Sequence, residues 1–462
     1  PRTALDYPFF FDEFMRIPLL LSIAVMLGLA IRLGGTLMRS ADLTADHDAY
    51  LAHAQMIEQG EGFAGPYTHR PTAFRPPAYP IAIAAVRCIG LSVPASVAFI
   101  NLGCSIAIMW LTWILCRQLE LPVHVSVVAT VVTTFDPLLV RYSILPMTEV
   151  PAAAMLMAAV VSLKAAELQN RTTGASCAGY YILSGLLFGI GSLVRPILLV
   201  CCGMLVLWRL ILRLKSGTAN CKNVTRTILP LVAAFIALSP WIIRNAVQFN
   251  KFIPATTHGG YTLALGNNPD FYRDVIEGDM PFPWPGPQLD AWQQRMIAES
   301  AAQGVTPGDE PGQDAWYYQQ TVSAMRKQPM ICVRACLLRL LRFCAITPGV
   351  DNGLPKAVTI LIGLWYGLIW FGVVAAVVQS VENLWRVPKS VFKPDLRPQT
   401  SLADLWLIVL SFMLLHCFYW TDTRMRAPVM PSVCIIAAVG CRRLFRNSSR
   451  GLAPSTTSES QT

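Results

Sequence analysis

Apolar runs long enough to cross the roughly 30 Å hydrocarbon core of a bilayer recur along almost the whole chain, and that recurrence leaves few folds open. The runs at 17–37, 95–116, 123–140, 147–165, 178–194, 196–213, 227–243, 355–379, 402–420 and 428–441 are continuous rather than alternating. They therefore read as α-helical spans and exclude a β-barrel. A signal peptide or a single anchor would account for one such run, not for the series. Composition agrees: 14% of the 462 residues are charged and 54% are hydrophobic, where a soluble domain carries roughly a quarter charged residues. The expected fold class is an all-α polytopic membrane protein with about 10 transmembrane helices.

The stretch 76–90, "PPAYPIAIAAVRCIG", is short, opens on proline and contains Arg87, so it reads as an interfacial helix in the first outer loop. With the N-terminus inside, the short cytoplasmic loops then collect Arg117, Lys164, Arg171, the basic stretch 209–226, "WRVPKSVFKPDLRP" at 385–398 and "CRRLFRNSSR" at 441–450. This is the positive-inside bias, and counting 76–90 as a full span would break it. The net charge of +10 is spread through these loops, which points to lipid phosphates rather than nucleic acid. Most of the 13 cysteines lie in apolar runs without metal-type spacing and read as small hydrophobes.

The implied organisation is an N-terminal transmembrane module, 1–243, containing the first outer loop at 38–94. A large extracytoplasmic loop follows at 244–354, then C-terminal helices at 355–445 and a disordered cytoplasmic tail at 446–462. Within the large loop a short helix is expected at 313–328. Arg334, Arg339 and Arg342 alternate with apolar residues in "VRACLLRLLRF", as in a helix lying on the membrane surface.

Chemistry concentrates at the outer ends. In "ADLTADHDAYLAHAQMIEQGEGF", residues 41–63, Asp46, Tyr50, Ala54 and Ile57 share one helical face. Asp46 suits a helix N-cap, and the functional alternative is a carboxylate that takes a proton from an incoming nucleophile; Asp48 is its local competitor. His47 and His53 are spaced like surface histidines rather than metal ligands. Arg75, in the stiff segment "HRPTAFRPPAYP", suits either an anchor for the interfacial helix or a grip on a phosphate. Glu149 opens a span, where Arg141 could neutralise it, and Arg195 invites the same structural pairing. The region 240–269 ends a helix at Pro240–Trp241, presents Arg244 and Asn245, and supplies amide donors at Gly259–Gly260 and in "GNNP". "YWTDTRMRAPVMP" adds Asp422, Arg424 and Arg426 at another outer mouth. Tyr50, Tyr79, His258 and Asn267 complete the candidate set as substrate contacts, and Arg75, Arg244, Arg424 and Arg426 as phosphate contacts.

The ordered motifs "DxxxYxxxAxxIxxGxGF", "RPPAYP", "TEVP", "GLLFGIGSLVRP", "SPWIIRN…GNNP" and "RMRAPVMP" resemble bacterial GT-C glycosyltransferases of the protein O-mannosyltransferase and aminoarabinose transferase group, family 39-like, from about residue 17 to 435. The resemblance implies a GT-C type fold in a bacterial inner membrane, a polyprenyl-phosphate sugar donor, and reaction on the periplasmic or lumenal face. The acceptor is a glycan, lipid or protein of the envelope. By motif position it places the catalytic carboxylate at Asp46, the carrier-phosphate contact at Arg75, where relatives often have lysine, the second-loop acid at Glu149, and the closing arginine at Arg424 or Arg426. Many relatives read Asp-Glu at the first motif. Here Asp46 is followed by His47, and the next acid is Asp48. Metal use in this superfamily is not uniform, so no cofactor is assigned and a divalent metal stays open. Partners are the lipid-linked donor, membrane lipids and the unknown acceptor.

The rival from another class is a transporter or lipid-linked sugar flippase, in which charges sit near the bilayer midplane on broken helices. The sequons at Asn170, Asn223 and Asn447 all fall on the expected cytoplasmic side.

Overall fold

A computed structural model describes residues 18–172, 177–280, 284, 286–306, 308–348, 353–386 and 401–450. The described residues form no named β-strand; the helices, in chain order, are α1 (Leu19–Met38), α2 (Tyr50–Glu58), α3 (Ala78–Arg87), α4 (Val93–Gln118), α5 (Val123–Thr134), α6 (Pro137–Tyr142), α7 (Glu149–Thr172), α8 (Ala178–Ser192), α9 (Ile197–Lys215), α10 (Cys221–Phe249), α11 (Gly259–Gly266), α12 (Gly286–Ala302), α13 (Glu310–Lys327), α14 (Pro329–Phe343), α15 (Lys356–Arg386), α16 (Ser401–Phe418) and α17 (Met430–Arg450).

Seven of these helices are long and apolar enough to cross a membrane. Three of the expected spans, 123–140, 178–194 and 402–420, are shorter helices. The first is interrupted because Asp136, fully buried, turns its carboxylate to the backbone N–H of Leu139 at 3.0 Å and starts α6 on Pro137. An N-cap inside an apolar run ends one helix and begins another. α3 is a ten-residue helix, as short as its sequence suggests.

Bilayer helices gain little from apolar burial against one another and depend on close backbone approach. Gly185 and Gly189, one turn apart on α8, provide it. A β-carbon on Gly189 would stand 2.5 Å from the carbonyl oxygen of Ala234 on α10, and one on Gly185 2.6 Å from the Ala233 β-carbon. Gly372 on α15 lies equally close to Ala437 on α17. Outward faces stay apolar: Leu19, Leu20 and Met26 on α1 and Leu361, Leu364 and Leu368 on α15 are exposed, as lipid-facing positions must be.

Pro240 does not end α10, contrary to expectation. The helix continues to Phe249 because the Ser239 hydroxyl donates to the Ile236 carbonyl at 2.7 Å, the acceptor that Pro240 lacks an N–H to serve. Asn250, at φ 51°, then closes it. α17 runs to Arg450, so residues 446–450 of the expected tail are helical, and 451–462 lie outside the described residues, as does most of the basic stretch 385–398.

The large loop has a core of its own, with Phe271, Tyr272, Trp284, Trp292 and Trp316 buried together. Gly259 and Gly260 serve packing here: β-carbons on them would collide with Tyr318 and Asp314 of α13. α14, expected as a membrane-surface helix, is tied inward on one side and presents an apolar face on the other. Arg339, fully buried, donates to the carbonyls of Cys417 at 2.7 Å and Gly266 at 2.5 Å, although Val333, Leu337 and Leu341 remain exposed.

Candidate active site

Two neighbouring acids of the first outer loop, Asp46 and Asp48, part company just before α2. Ala49 adopts the left-handed conformation, φ 61°, immediately before α2. Asp46 on the near side accepts from the N–H groups of Leu51 and Ala52 at 3.0 and 2.9 Å, and so caps the helix. The helix begins at Tyr50, so Asp46 stands before it rather than on its face.

Asp48 instead meets two guanidinium groups that come from distant parts of the chain. Arg75 Nη2 lies 3.0 Å from Asp48 Oδ1, and Arg424 Nη1 lies 3.3 Å from Oδ2. Burial opposes its charge, but Arg424, Arg75 and Arg195 outweigh that and hold its pKa below the ordinary carboxylate value. Asp48 is therefore ionised at neutral pH.

Glu149, the first residue of α7 and fully buried, receives Arg195 Nη2 at 3.1 Å. Arg195 also reaches the Met425 sulfur at 3.3 Å. Arg141, the partner expected for Glu149, pairs with Asp42 at 2.6 Å instead. Glu149 and Asp48 both act electrostatically on Arg424, so the two ion pairs belong to one cluster. Within it Glu149 Oε2 and Arg195 Nη1 are buried and have no partner. Asp422 beside the cluster faces Arg342 at 3.9 Å and caps Thr423.

Aromatic groups close one side. Arg75 lies over the rings of Phe74 and Tyr50, at 5.4 and 6.0 Å, and donates to His258 Nε2 at 3.2 Å. His258 stacks on Phe74 at 4.4 Å. Burial, reinforced by Arg75, pushes the His258 pKa down to about 3, so the ring is neutral. An Nε2 that accepts leaves the proton on Nδ1, and that atom is buried without a partner. Tyr50 is buried and packs edge-on against Tyr79, their ring centroids 5.6 Å apart.

The remaining candidates stand elsewhere. Arg244 donates to the carbonyls of Thr72 and Phe63, both at 2.7 Å, and stacks over Trp241 at 4.9 Å; it clamps the first-loop backbone. Arg426, buried, donates to the carbonyls of Phe343 and Ala345 and lies 4.2 Å over the Tyr366 ring. Asn267 spends its amide on the carbonyls of Leu263 and Phe418 and its oxygen on Arg339 and Tyr272. Tyr79 is a core residue whose hydroxyl meets Asn101. Of the two histidines read as surface residues, His47 is exposed, but His53 is buried, bonded to the Ala64 carbonyl and stacked on Phe63 at 4.9 Å.

Sequence reasoning undervalued Arg195. Its only signal was an arginine between two apolar runs, and pairing alone explains that. Among the described residues no three His, Cys, Asp or Glu side chains stand together as a metal site. Both cluster carboxylates already face guanidinium groups, a donor set that does not suit a divalent cation.

Neither sequence-family models nor curated proteins match the chain. Solved structures do. The archaeal oligosaccharyltransferase AglB from Archaeoglobus fulgidus, in complex with an inhibitory peptide and a dolichol-phosphate, superposes with a TM-score of 0.52 and 11% identity over 95% of this chain and 52% of that one. The same enzyme in complex with Zn and sulfate gives 0.54 and 15% over 93% and 49%. The chain thus spans about half the length of that enzyme. ArnT from Cupriavidus metallidurans bound to undecaprenyl phosphate covers 94% of this chain and 81% of its own, at a TM-score of 0.39 and 13% identity. The chain shares the helical fold of that archaeal oligosaccharyltransferase, and its series of long apolar helices makes it an integral, multi-pass membrane protein.

Proposed function

We propose that the chain is a membrane glycosyltransferase that moves a sugar from a polyprenyl-phosphate donor to an envelope acceptor on the periplasmic face. The observation that carries this reading is the charge balance of the loop-end cluster. Three guanidinium groups, Arg75, Arg195 and Arg424, face two carboxylates, Asp48 and Glu149, and the surplus cation suits a lipid phosphate. Solvent can enter, because the Arg424 side chain is 26% exposed and that of Arg75 20%.

The reaction is a single displacement. An acceptor hydroxyl oxygen bonds the anomeric carbon, the bond from that carbon to the phosphate oxygen breaks, and the polyprenyl phosphate departs with the electron pair. Asp48 takes the acceptor proton. In its resting ion pairs Asp48 is a weak base, since its pKa is held down. A donor phosphate that draws Arg75 and Arg424 to itself frees this carboxylate and raises its basicity when it is needed. The same arginines neutralise charge as it develops on the leaving group, so no strong general acid is required. Asp46, named by motif position, keeps the helix cap and holds the turn that aims Asp48. The AglB structure with dolichol-phosphate and the ArnT structure with undecaprenyl phosphate are in keeping with a lipid-phosphate ligand.

The test is transfer in vesicles supplied with undecaprenyl-phosphate-linked radiolabelled sugar, with mass spectrometry of envelope lipids and glycans. A new glycosylated product that depends on the chain and vanishes in Asp48→Asn is expected. Movement of the labelled lipid across the bilayer without any covalent product would instead establish the flippase reading.

A further inference from the structure

The first outer loop and the start of the large loop meet on one carboxylate outside the charged cluster. Glu310, in the first turn of α13, accepts the Thr72 hydroxyl on Oε1 at 2.5 Å, and on Oε2 both the Ala73 N–H and the Thr257 hydroxyl at 3.0 Å. Asp309 caps that helix through the Gly312 N–H, which fixes where Glu310 points. The two segments it grips are also joined directly, since the Thr257 N–H donates to the Ala73 carbonyl at 2.9 Å. Arg75 lies three residues beyond Thr72, and His258 follows Thr257.

We infer that Glu310 is a positioning residue: its carboxylate ties residues 72–73 to residue 257 and so sets the Arg75–His258 arm against Asp48. The inference rests on the proposed reading for what the arm binds, not for how it is held. One acceptor group serving three donors from two segments fixes their relative register, and no other side chain of α13 reaches both. The Phe74–His258 stack and the Arg75–His258 hydrogen bond then transmit that register to the guanidinium group. Glu310 thereby acts on the phosphate contacts without touching them.

The test uses the full chain in nanodiscs, with Glu310→Ala and Glu310→Gln. Amide hydrogen exchange is read over 63–80 and 250–265, and undecaprenyl phosphate binding is titrated. In the alanine variant, exchange rises about tenfold in those two segments alone and binding weakens about tenfold, the scale of one or two lost hydrogen bonds. Glutamine restores both, because its oxygen takes the place of Oε2 and its amide donates to the Thr72 hydroxyl. Unchanged exchange, an increase spread evenly over the chain, or a glutamine variant that behaves like alanine overturns the inference. If the unaltered chain does not bind undecaprenyl phosphate, the functional reading fails, and the exchange data still decide the role of Glu310.

Discussion

Two groups of charged side chains stand at opposite ends of the helix bundle, and their construction differs. Glu149 and Glu167 lie on the same helix, α7, about 27 Å apart at 1.5 Å per residue. At the far end Lys164, Glu167, Arg209 and Asp404 close on themselves. Arg209 lies 2.8 Å from both acids, and Lys164 lies 2.8 Å from Glu167 and 3.5 Å from Asp404. Two cations face two anions, every charge is answered, and the quartet joins α7, α9 and α16. At the loop end three guanidinium groups face two carboxylates, and buried polar atoms of Glu149, Arg195 and His258 lack partners. A neutral, saturated group holds helices together; a positive, unsaturated one is suited to receive something. Buried charge in a membrane protein is therefore informative only when its balance is counted.

Substitutions can break that comparison. The largest effect is expected from Asp48→Asn, which should lower transfer by about a hundredfold to ten-thousandfold, the usual worth of a positioned base, with normal membrane insertion. Undiminished turnover would show that the loop-end cluster is another brace. Arg209→Ala should do the opposite. It leaves Lys164 alone to answer two buried acids, costs about 3–5 kcal/mol in stability, and lowers the yield of folded protein while leaving donor dependence unchanged. Melting curves beside donor titrations separate the two outcomes. Arg75→Ala and Arg424→Ala should each raise the donor KM by about ten- to a hundredfold and alter acceptor dependence little. A loss confined to the acceptor side would remove the phosphate role.

The smallest effect concerns pH. His258 ordinarily titrates at 6.5 but at about 3 in the folded chain, so between those values the unfolded chain binds the extra proton. Stability from the neutral ring is complete above 6.5 and declines as the pH falls toward 3. His258→Gln should flatten the melting temperature over that window, and a slope equal to that of the unaltered chain would place the dependence elsewhere. Asp48, held below its ordinary value of 3.8, adds its loss as the pH falls below that value, at the acid end of the same window.

The sequence was a good guide to what depends on local pattern and a poor one to what depends on distant partners. Apolar runs located the long helices because hydrocarbon demands them. The short helix expected at 313–328 is α13, which starts three residues earlier at Glu310. The break at Asp136 was hidden because apolar residues lie on both sides of it. Pro240 misled because its remedy is a single hydroxyl at Ser239. Arg244, Arg426 and Asn267 look like site residues in any linear reading, being polar and near a mouth. Each of them donates to backbone carbonyls, in the case of Arg426 more than eighty residues away. Asp46 and Asp48 could not be separated by spacing, because both precede the turn at Ala49 and only their partners, two backbone N–H groups for one and two distant arginines for the other, tell them apart.

That turn places an L-residue with a β-carbon, Ala49, where glycine or asparagine would be more at ease. The bend at Ala49 sets the direction in which α2 leaves both acids, bringing its first N–H groups back to Asp46 while Asp48 meets the arginines. A valine at this position would push the backbone toward negative φ and turn the second acid away from its cations, silencing the cluster without touching any charged group. Glycine would ease the strain yet let both carboxylates wander, so a small side chain keeps the two duties distinct.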